Sequence, residues 1–265
     1  MPLVRLSDIN INYQIEGAGD PLVMIMGFTA GRSGWMRQIR FFKKYYRVIT
    51  FDNRGAGKSD RPPGPYSTRM MAGDTVKLMD FLGLEKAHIV GMSMGGMIAQ
   101  ELAINYPQRV MKLVLASTYA NRDKTSGHVV AQTEFARLSP EQRTAAMVGL
   151  AFNKPYYRFA FGLIARIMTR FTKASDRVGV EGQSDACVNH DTLDRLSLIK
   201  APTLVIVGTG DRLIKPASSE VIAGGIPGAR FVKVQGGSHY FSFEMANVFN
   251  HEVLSFLRSD APAAS

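Results

Sequence analysis

The spacing of apolar residues changes along the chain, and each spacing predicts a different element. Residues 4–16 alternate apolar and polar side chains, which predicts an opening antiparallel hairpin. Residues 22–26 and 48–51 are unbroken apolar runs instead. Runs of this kind indicate strands that are buried on both faces, as in a parallel sheet.

Strands and helices continue to alternate through most of the chain. Further strands are predicted at residues 88–92, 110–116, 203–207 and 231–234. Helical stretches lie between or after the strands, at residues 33–45, 68–82, 95–106, 217–223 and 243–257. This order predicts an α/β fold with a mostly parallel, doubly wound sheet.

The alternation stops between residues 119 and 199, where runs of β-branched residues are missing. Helical patterns occur there instead, at residues 140–150 and 156–173. We therefore predict one core formed by residues 1–118 and 200–265. Residues 119–199 are predicted to be a helical cap insertion over one edge of the sheet.

The composition is that of an ordinary folded protein. The 265 residues are 46% hydrophobic and 20% charged, enough to bury a substantial core. The single cysteine, Cys187, excludes an internal disulfide and a cysteine-based zinc site. The first residues lack an apolar signal core and no run is long enough to span a membrane, so we expect a cytoplasmic protein without stable membrane insertion.

The net charge of +10 changes the picture only locally. Basic residues are scattered among acidic ones, which does not favour a nucleic-acid partner. Residues 142–175 are an exception, with six Lys or Arg and no Asp or Glu. We interpret the helical part of this segment as a solvated basic face over an apolar face, and attraction to an anionic lipid or substrate is the alternative.

The most informative motif is Gly91-Met92-Ser93-Met94-Gly95, which runs out of the strand at 88–92 into a predicted helix. A serine at such a turn projects its hydroxyl from the backbone, and the glycines leave room for the turn. The motif therefore predicts a serine nucleophile, which needs a base, an acid that orients the base, and amide donors for an oxyanion.

Suitable partners follow other strands of the predicted sheet. Asp211 comes after the strand at 203–207, and His239 comes after the strand at 231–234. The loop at 27–31, after the strand at 22–26, could contribute an amide. Because the carboxyl ends of parallel strands meet at one edge, these groups are expected to converge on Ser93.

These motifs resemble the α/β-hydrolase superfamily over nearly the whole chain. The resemblance rests on the serine motif, on the loop at 52–60, on Gly208-Thr209-Gly210-Asp211 and on Gly237-Ser238-His239 with Glu244. It implies a triad in the order Ser93, Asp211, His239, and an oxyanion hole formed by the backbone amides of Phe28 and Met94. The chain departs from the usual pattern where Met26 stands in place of a histidine before Gly27.

Several competing interpretations are less favoured. Asp123 could serve as the acid, but it lies too far beyond the preceding strand. A phosphate loop at Gly57-Lys58-Ser59 would need a glycine where Asp52 stands. The other histidines show no metal-ligand spacing and are assigned core or surface roles, so no metal or cofactor is expected; they are His88, His128, His190 and His251.

Serine rather than aspartate at the elbow favours acyl transfer over the dehalogenase or epoxide-hydrolase chemistry of similar proteins. We expect a largely apolar pocket lined by Trp35, Met92, Phe152 and Phe241. The leading hypothesis is a carboxylic ester hydrolase for small to medium esters, acting as a monomer or homodimer. The alternatives are an enol-lactone type lactonase, suggested by residues 189–196, a C–C hydrolase, and a small-ligand receptor without turnover.

Overall fold

The computed structural model describes residues 2–121, 139–169 and 174–259. Its centre is an eight-stranded sheet in the order β1-β2-β4-β3-β5-β6-β7-β8. β1 and β2 pair as an antiparallel hairpin, β2 is antiparallel to β4, and the remaining pairs are parallel. The strands are β1 Leu3–Leu6, β2 Ile9–Glu16, β3 Pro21–Ile25, β4 Arg47–Phe51, β5 Ala87–Met92, β6 Val110–Ala116, β7 Thr203–Gly208 and β8 Arg230–Val234.

Helices cover both faces of this sheet, and the described residues between β6 and β7 form three more. They are α1 Met36–Phe42, α2 Thr68–Phe81, α3 Met94–Asn105, α4 Pro140–Ala151, α5 Pro155–Thr169, α6 Ala174–Val188, α7 Pro216–Gly225, α8 Phe241–Glu244 and α9 Ala246–Arg258. One buried apolar cluster joins the sheet to α2, α3 and α7, and a second joins it to α1 and α9. The predicted doubly wound α/β sheet is thereby confirmed.

Two helices differ from the sequence prediction. The helix predicted at 243–257 is two helices, because Met245 adopts φ −123° and ψ 44° between them. α6 was not predicted as a helix, because Gly179 and Gly182 interrupt its apolar pattern. None of the helices within the described ranges combines the length and hydropathy needed to cross a bilayer.

Part of the predicted cap insertion cannot be compared with the structure. Residues 122–138, which include Asp123 and His128, lie outside the described residues, and so do residues 170–173. The described part of the insertion contains α4, α5 and α6. The division into a core and a cap stays a prediction.

Candidate active site

Ser93 lies at the turn between β5 and α3 and has backbone angles that are rare for a residue with a side chain. Its φ is 56° and its ψ is −124°. Glycines permit the turn, since a Cβ on Gly91 would lie 2.3 Å from the Gly95 carbonyl oxygen and one on Gly95 would lie 2.1 Å from that of Ile25. Backbone of this kind costs about 1–3 kcal/mol and persists only where surrounding structure imposes it.

Residues at the end of β6 and just after it bind both the amide and the carbonyl of Ser93. The Ser93 amide donates to the Ala116 carbonyl at 2.9 Å. The Thr118 hydroxyl donates to the Ser93 carbonyl at 2.8 Å. Thr118 also packs so closely on Gly96 that a Cβ there would approach it to 2.7 Å. The serine side chain is thus presented by a backbone that is fixed on both sides.

Asp211 and His239 form a buried pair at the ends of β7 and β8. His239 Nδ1 lies 2.8 Å from Asp211 Oδ2, and the aspartate side chain is fully buried. Asp211 Oδ1 accepts the amides of Leu213 and Ile214, both at 2.9 Å. Because a carboxylate only accepts, Nδ1 donates, which leaves Nε2 of the imidazole as the acceptor.

The two loops that carry this pair are in direct contact. A Cβ on Gly208 would lie 2.2 Å from the Gly237 carbonyl oxygen. The Gly210 amide donates to the same carbonyl at 2.8 Å. Only glycine at 208 allows the loop that carries Asp211 and the loop that carries His239 to approach this closely. This contact fixes the position of the two side chains relative to each other.

The serine turn meets both the loop after β3 and the segment after His239. A Cβ on Gly27 would lie 3.0 Å from Ser93 Cβ and 3.5 Å from its Oγ. On the other side, the Ser242 hydroxyl donates to Met92 Sδ at 3.2 Å. The residues predicted to act together therefore lie on loops that converge at one edge of the sheet.

The amides predicted to form the oxyanion hole have different origins. Met94 is the first residue of α3, where backbone N–H groups have no partner within the helix. Phe28 lies in the loop after β3, which Asn53 fixes by donating its side-chain amide to the Met26 carbonyl at 2.8 Å. Among the turn and loop hydrogen bonds of the described residues, neither amide donates to a carbonyl. Their catalytic role stays a prediction.

The loop at 52–60 is built around one buried carboxylate. Asp52 accepts the amide of Arg32 at 2.6 Å, the amide of Lys58 at 2.9 Å and the side chain of Asn12 at 2.7 Å. These contacts join the loop after β4 to β2 and to the segment after β3. The structural role predicted for this loop fits these bonds.

Three residues predicted to line the substrate pocket are core residues. Trp35 and Phe241 are completely buried, and both pack on Phe249, with ring centroids 6.2 and 5.6 Å away. Met92 is buried in the same cluster. All three side chains pack in the cluster that joins the sheet to α1 and α9. Their contact with substrate stays a prediction.

Phe152 is also buried, but it lies at the junction of the inserted helices with the histidine loop. It stacks on Phe161 at 4.6 Å between centroids and packs on Tyr240 at 5.5 Å. The same cluster includes Tyr157 and Phe243. Phe152 therefore belongs to an aromatic layer beside His239, and its contact with substrate stays a prediction.

A set of hydrogen bonds that was not predicted joins the segment between α4 and α5 to the residues after His239. Glu244 accepts the amides of Asn153 at 3.2 Å and Lys154 at 2.8 Å. The Tyr240 amide donates to the Ala151 carbonyl at 2.9 Å. Glu244 stood out in the sequence only as part of the histidine motif, and nothing in its spacing pointed to residues 90 positions earlier.

A second connection that was not predicted comes from α6. The Gln183 side chain accepts the Thr29 amide at 2.7 Å and donates to the Arg54 carbonyl at 2.7 Å. It is completely buried. A single glutamine in a helix has no sequence signature, so only the docking of α6 on the core revealed it.

The remaining histidines occupy structural positions in the described part of the chain. Burial lowers the pKa of His88 to about 4 and that of His190 to about 4. His251 packs against Phe41 with ring centroids 5.4 Å apart. Within the described ranges, no three His, Cys, Asp or Glu side chains are grouped so that they could hold a metal ion.

Comparison with known proteins agrees with this architecture. A family model for the alpha/beta hydrolase fold matches residues 20–246. A candidate carbamate hydrolase of Azorhizobium caulinodans, RutD, is 29% identical over 262 residues, which cover 97% of this chain and 98% of that protein. The solved enol-lactonase of Burkholderia xenovorans LB400 is 28% identical, with a TM-score of 0.85 over 97% of this chain and 100% of that chain.

A further solved structure, a hydrolase from Pseudomonas aeruginosa PA01, is 30% identical with a TM-score of 0.85. It covers 97% of this chain and 98% of its own. The family model and these relatives therefore span both the serine elbow and the Asp211–His239 pair, and the chain belongs to the α/β-hydrolase family.

Proposed function

We propose that this hydrolase cleaves carboxylic esters through a covalent acyl-enzyme on Ser93. The observation that carries the proposal is the buried Asp211–His239 pair, with its 2.8 Å hydrogen bond, at the sheet edge where Ser93 ends β5. A base that is oriented by an acid, at the same sheet edge as a partly exposed serine, is the arrangement that nucleophilic acyl transfer needs.

In the proposed cycle, His239 Nε2 takes the proton of the Ser93 hydroxyl as its oxygen attacks the ester carbonyl. The tetrahedral oxyanion is bound by the Phe28 and Met94 amides, and the alcohol leaves with the proton from His239. Water activated by His239 then attacks the acyl-enzyme, which releases the carboxylic acid and restores Ser93. Each preorganised oxyanion donor is worth about 2.7–4 kcal/mol of transition-state stabilisation.

The surroundings of the site favour a largely apolar acyl group of small to medium size. The aromatic layer formed by Phe152, Tyr157, Phe161, Tyr240 and Phe243 begins at the residue after His239. Apolar and aromatic walls with few polar groups are typical of small-molecule pockets.

A lactone is the second candidate substrate, and the relatives favour it. The Burkholderia protein with a TM-score of 0.85 is an enol-lactonase, and a curated relative from Acinetobacter baylyi that is 28% identical is named a 3-oxoadipate enol-lactonase. The same residues would open a lactone, because the leaving alcohol then simply stays attached to the acyl-enzyme.

The decisive experiment uses a fluorophosphonate probe, which reacts only with an activated serine. We expect rapid labelling of Ser93, found by peptide mass spectrometry, and no labelling of Ser93→Ala. That variant should also lose at least about 10³-fold in kcat for an aryl ester. An unlabelled wild-type protein would mean that the fold serves as a ligand receptor here.

The substrate class is then separated with two panels at equal carbon number. Aryl esters of increasing acyl length are compared with five- and six-membered lactones, with kcat/KM as the readout. A maximum among the short to medium esters supports the ester hydrolase. Lactone turnover that exceeds every ester by tenfold or more would assign the lactonase instead.

A further inference from the structure

We propose that Gln183, on α6 of the inserted segment, is a positioning residue that aims the Phe28 amide into the oxyanion hole. The inference rests on the proposed function, because an oxyanion hole has a purpose only if Ser93 forms tetrahedral intermediates. It assigns to an inserted helix a part in the catalytic geometry of the core.

The first step of the argument is the backbone around Phe28. Asn53 binds the carbonyl of Met26, two residues before Phe28, at 2.8 Å. The Gly27 carbonyl, which belongs to the same peptide as the Phe28 N–H, accepts the Ala30 amide at 3.3 Å. In a trans peptide the N–H points opposite to the C=O, so the Phe28 N–H points out of this turn.

The second step is Thr29, whose backbone is unfavourable without support. Its φ is 57°, in the left-handed region that non-glycine residues rarely adopt. The Thr29 amide is held at 2.7 Å by the Gln183 side-chain oxygen. This bond fixes the peptide that follows Phe28, and Asn53 fixes the chain before it. Without Gln183, the loop after β3 would lose the hydrogen bond that compensates for the unfavourable backbone of Thr29.

The third step is the close packing of α6 on the core, which fixes the position of Gln183. A Cβ on Gly179 would lie 2.2 Å from the Gly55 carbonyl oxygen, and one on Gly182 would lie 2.6 Å from the Tyr66 ring. Residues 179, 182 and 183 share one face of the helix. The two glycines each cost the helix up to about 1 kcal/mol, and in return the α6 backbone lies directly on the core.

The Gln183 side chain is bound at both ends. Its NH₂ group donates to the Arg54 carbonyl at 2.7 Å, in the loop that Gly179 and Gly182 contact. The completely buried amide of one side chain thus joins the loop after β3, which carries Phe28 and Thr29, to the loop after β4. A buried amide that loses either partner leaves a polar group unsatisfied, at a cost of about 1–3 kcal/mol.

The main test compares Gln183→Met with Gln100→Met. Gln100 is an equally buried glutamine on α3 that is likewise bound at both ends of its side chain. Its NH₂ group donates to the Gly96 and Tyr119 carbonyls and its oxygen accepts from the Thr192 hydroxyl, but it makes no bond to the loop that carries Phe28. We expect Gln183→Met to lower the rate of fluorophosphonate labelling and kcat by about 10–100-fold with KM within threefold. Gln100→Met should leave both rates within about threefold while losing similar thermal stability.

Two further readouts keep the proposal testable if Gln183→Met unfolds. In Gln183→Glu the introduced carboxyl, while protonated, can still accept from Thr29 and donate to Arg54. We expect its kcat to fall, relative to wild type, as that carboxyl ionises, because a negative charge beside the hole opposes the oxyanion. Amide hydrogen exchange of the peptide containing Thr29 should be faster in either Gln183 variant than in wild type.

The outcomes separate the two proposals. Wild-type protein that does not react with the probe would overturn the proposed function, whatever the Gln183 variants do. If wild type reacts and Gln183→Met reacts equally fast, the positioning role is wrong and the serine chemistry stands. Hydrogen exchange of the Thr29 peptide that is unchanged in both Gln183 variants would overturn the positioning role in the same way.

Discussion

Two helices of the inserted segment, α5 and α6, meet the core in opposite ways. α6 carries glycines and polar residues, yet it lies directly on the core backbone at Gly55. α5 is much more apolar, yet five of its large apolar side chains are exposed. They are Tyr156, Phe159, Leu163, Ile164 and Ile167.

The difference shows that the closest contact depends on small residues rather than on apolar content. α5 packs through its other face, where Tyr157 and Phe161 meet Phe243 at 5.6 and 5.2 Å between ring centroids. The apolar positions of this helix are therefore not all buried, since Leu163, Ile164 and Ile167 are exposed. Apolar side chains cover the outer surface of α5, and only one side of a helix can pack on the core.

Adding one methyl group at the contact of α6 is expected to have the largest effect. In Gly179→Ala the new Cβ would lie 2.2 Å from the Gly55 carbonyl oxygen, so the helix must shift. We expect a loss of about 3 kcal/mol in the free energy of unfolding and slower fluorophosphonate labelling, because Gln183 moves with the helix. Thermal unfolding and labelling kinetics measure the two effects. A fully stable variant would show that α6 is not held this tightly.

Acid should loosen the same region through His190, just after α6. His190 is buried with Nδ1 2.9 Å from the Thr68 hydroxyl. Burial holds its pKa at about 4 against 6.5 for an ordinary histidine, so the unfolded chain takes up the proton first. Stability is unaffected above pH 7 and is expected to fall by about 3 kcal/mol as the pH drops from 6.5 to 4.

The contribution of His190 is isolated by comparison with His190→Gln, which does not titrate. Urea unfolding of both proteins between pH 8 and pH 4 gives the difference in free energy at each pH. Wild type should lose stability relative to the variant over this interval. Parallel curves would mean that His190 is protonated equally in the folded and unfolded states.

The same glycine substitution on α5 should act in the other direction. A Cβ on Gly162 would have no atom within 4 Å beyond the adjoining turns of its own helix, and the position is inside the helix. Gly162→Ala is therefore expected to raise the free energy of unfolding by about 0.5–1 kcal/mol, through the lower backbone entropy of the unfolded chain. A raised melting temperature beside the lowered one of Gly179→Ala would confirm the contrast between the helices.

The smallest effect is expected on the exposed face of α5. Phe159 is 76% exposed, so Phe159→Gln removes little buried area and keeps a good helix former. The free energy of unfolding should change by less than about 0.5 kcal/mol. A loss above 2 kcal/mol in the thermal unfolding would contradict this and would show that the α5 face is covered in solution.

The strands and the meeting of Asp211 with His239 could be predicted because both depend on local patterns. Unbroken apolar runs form the buried parallel strands, and the residues that follow them must meet at one edge. Asp211 and His239 are adjacent for this reason. The burial of Trp35 and Phe241 could not be predicted in this way, because both are near the motifs in sequence while their side chains enter the core.

The amino-acid sequence by itself determined the α/β fold, the serine elbow and the pairing of Asp211 with His239. The tertiary structure alone decided that Gln183 of α6 binds the loop after β3 and that α5 exposes several of its apolar side chains. The Gln183–Thr29 bond joins residues 154 positions apart. Such a contact depends on how closely two backbones approach. Glycines set that distance because they have no Cβ atom, and a periodic pattern of apolar residues does not reveal where such close contacts form.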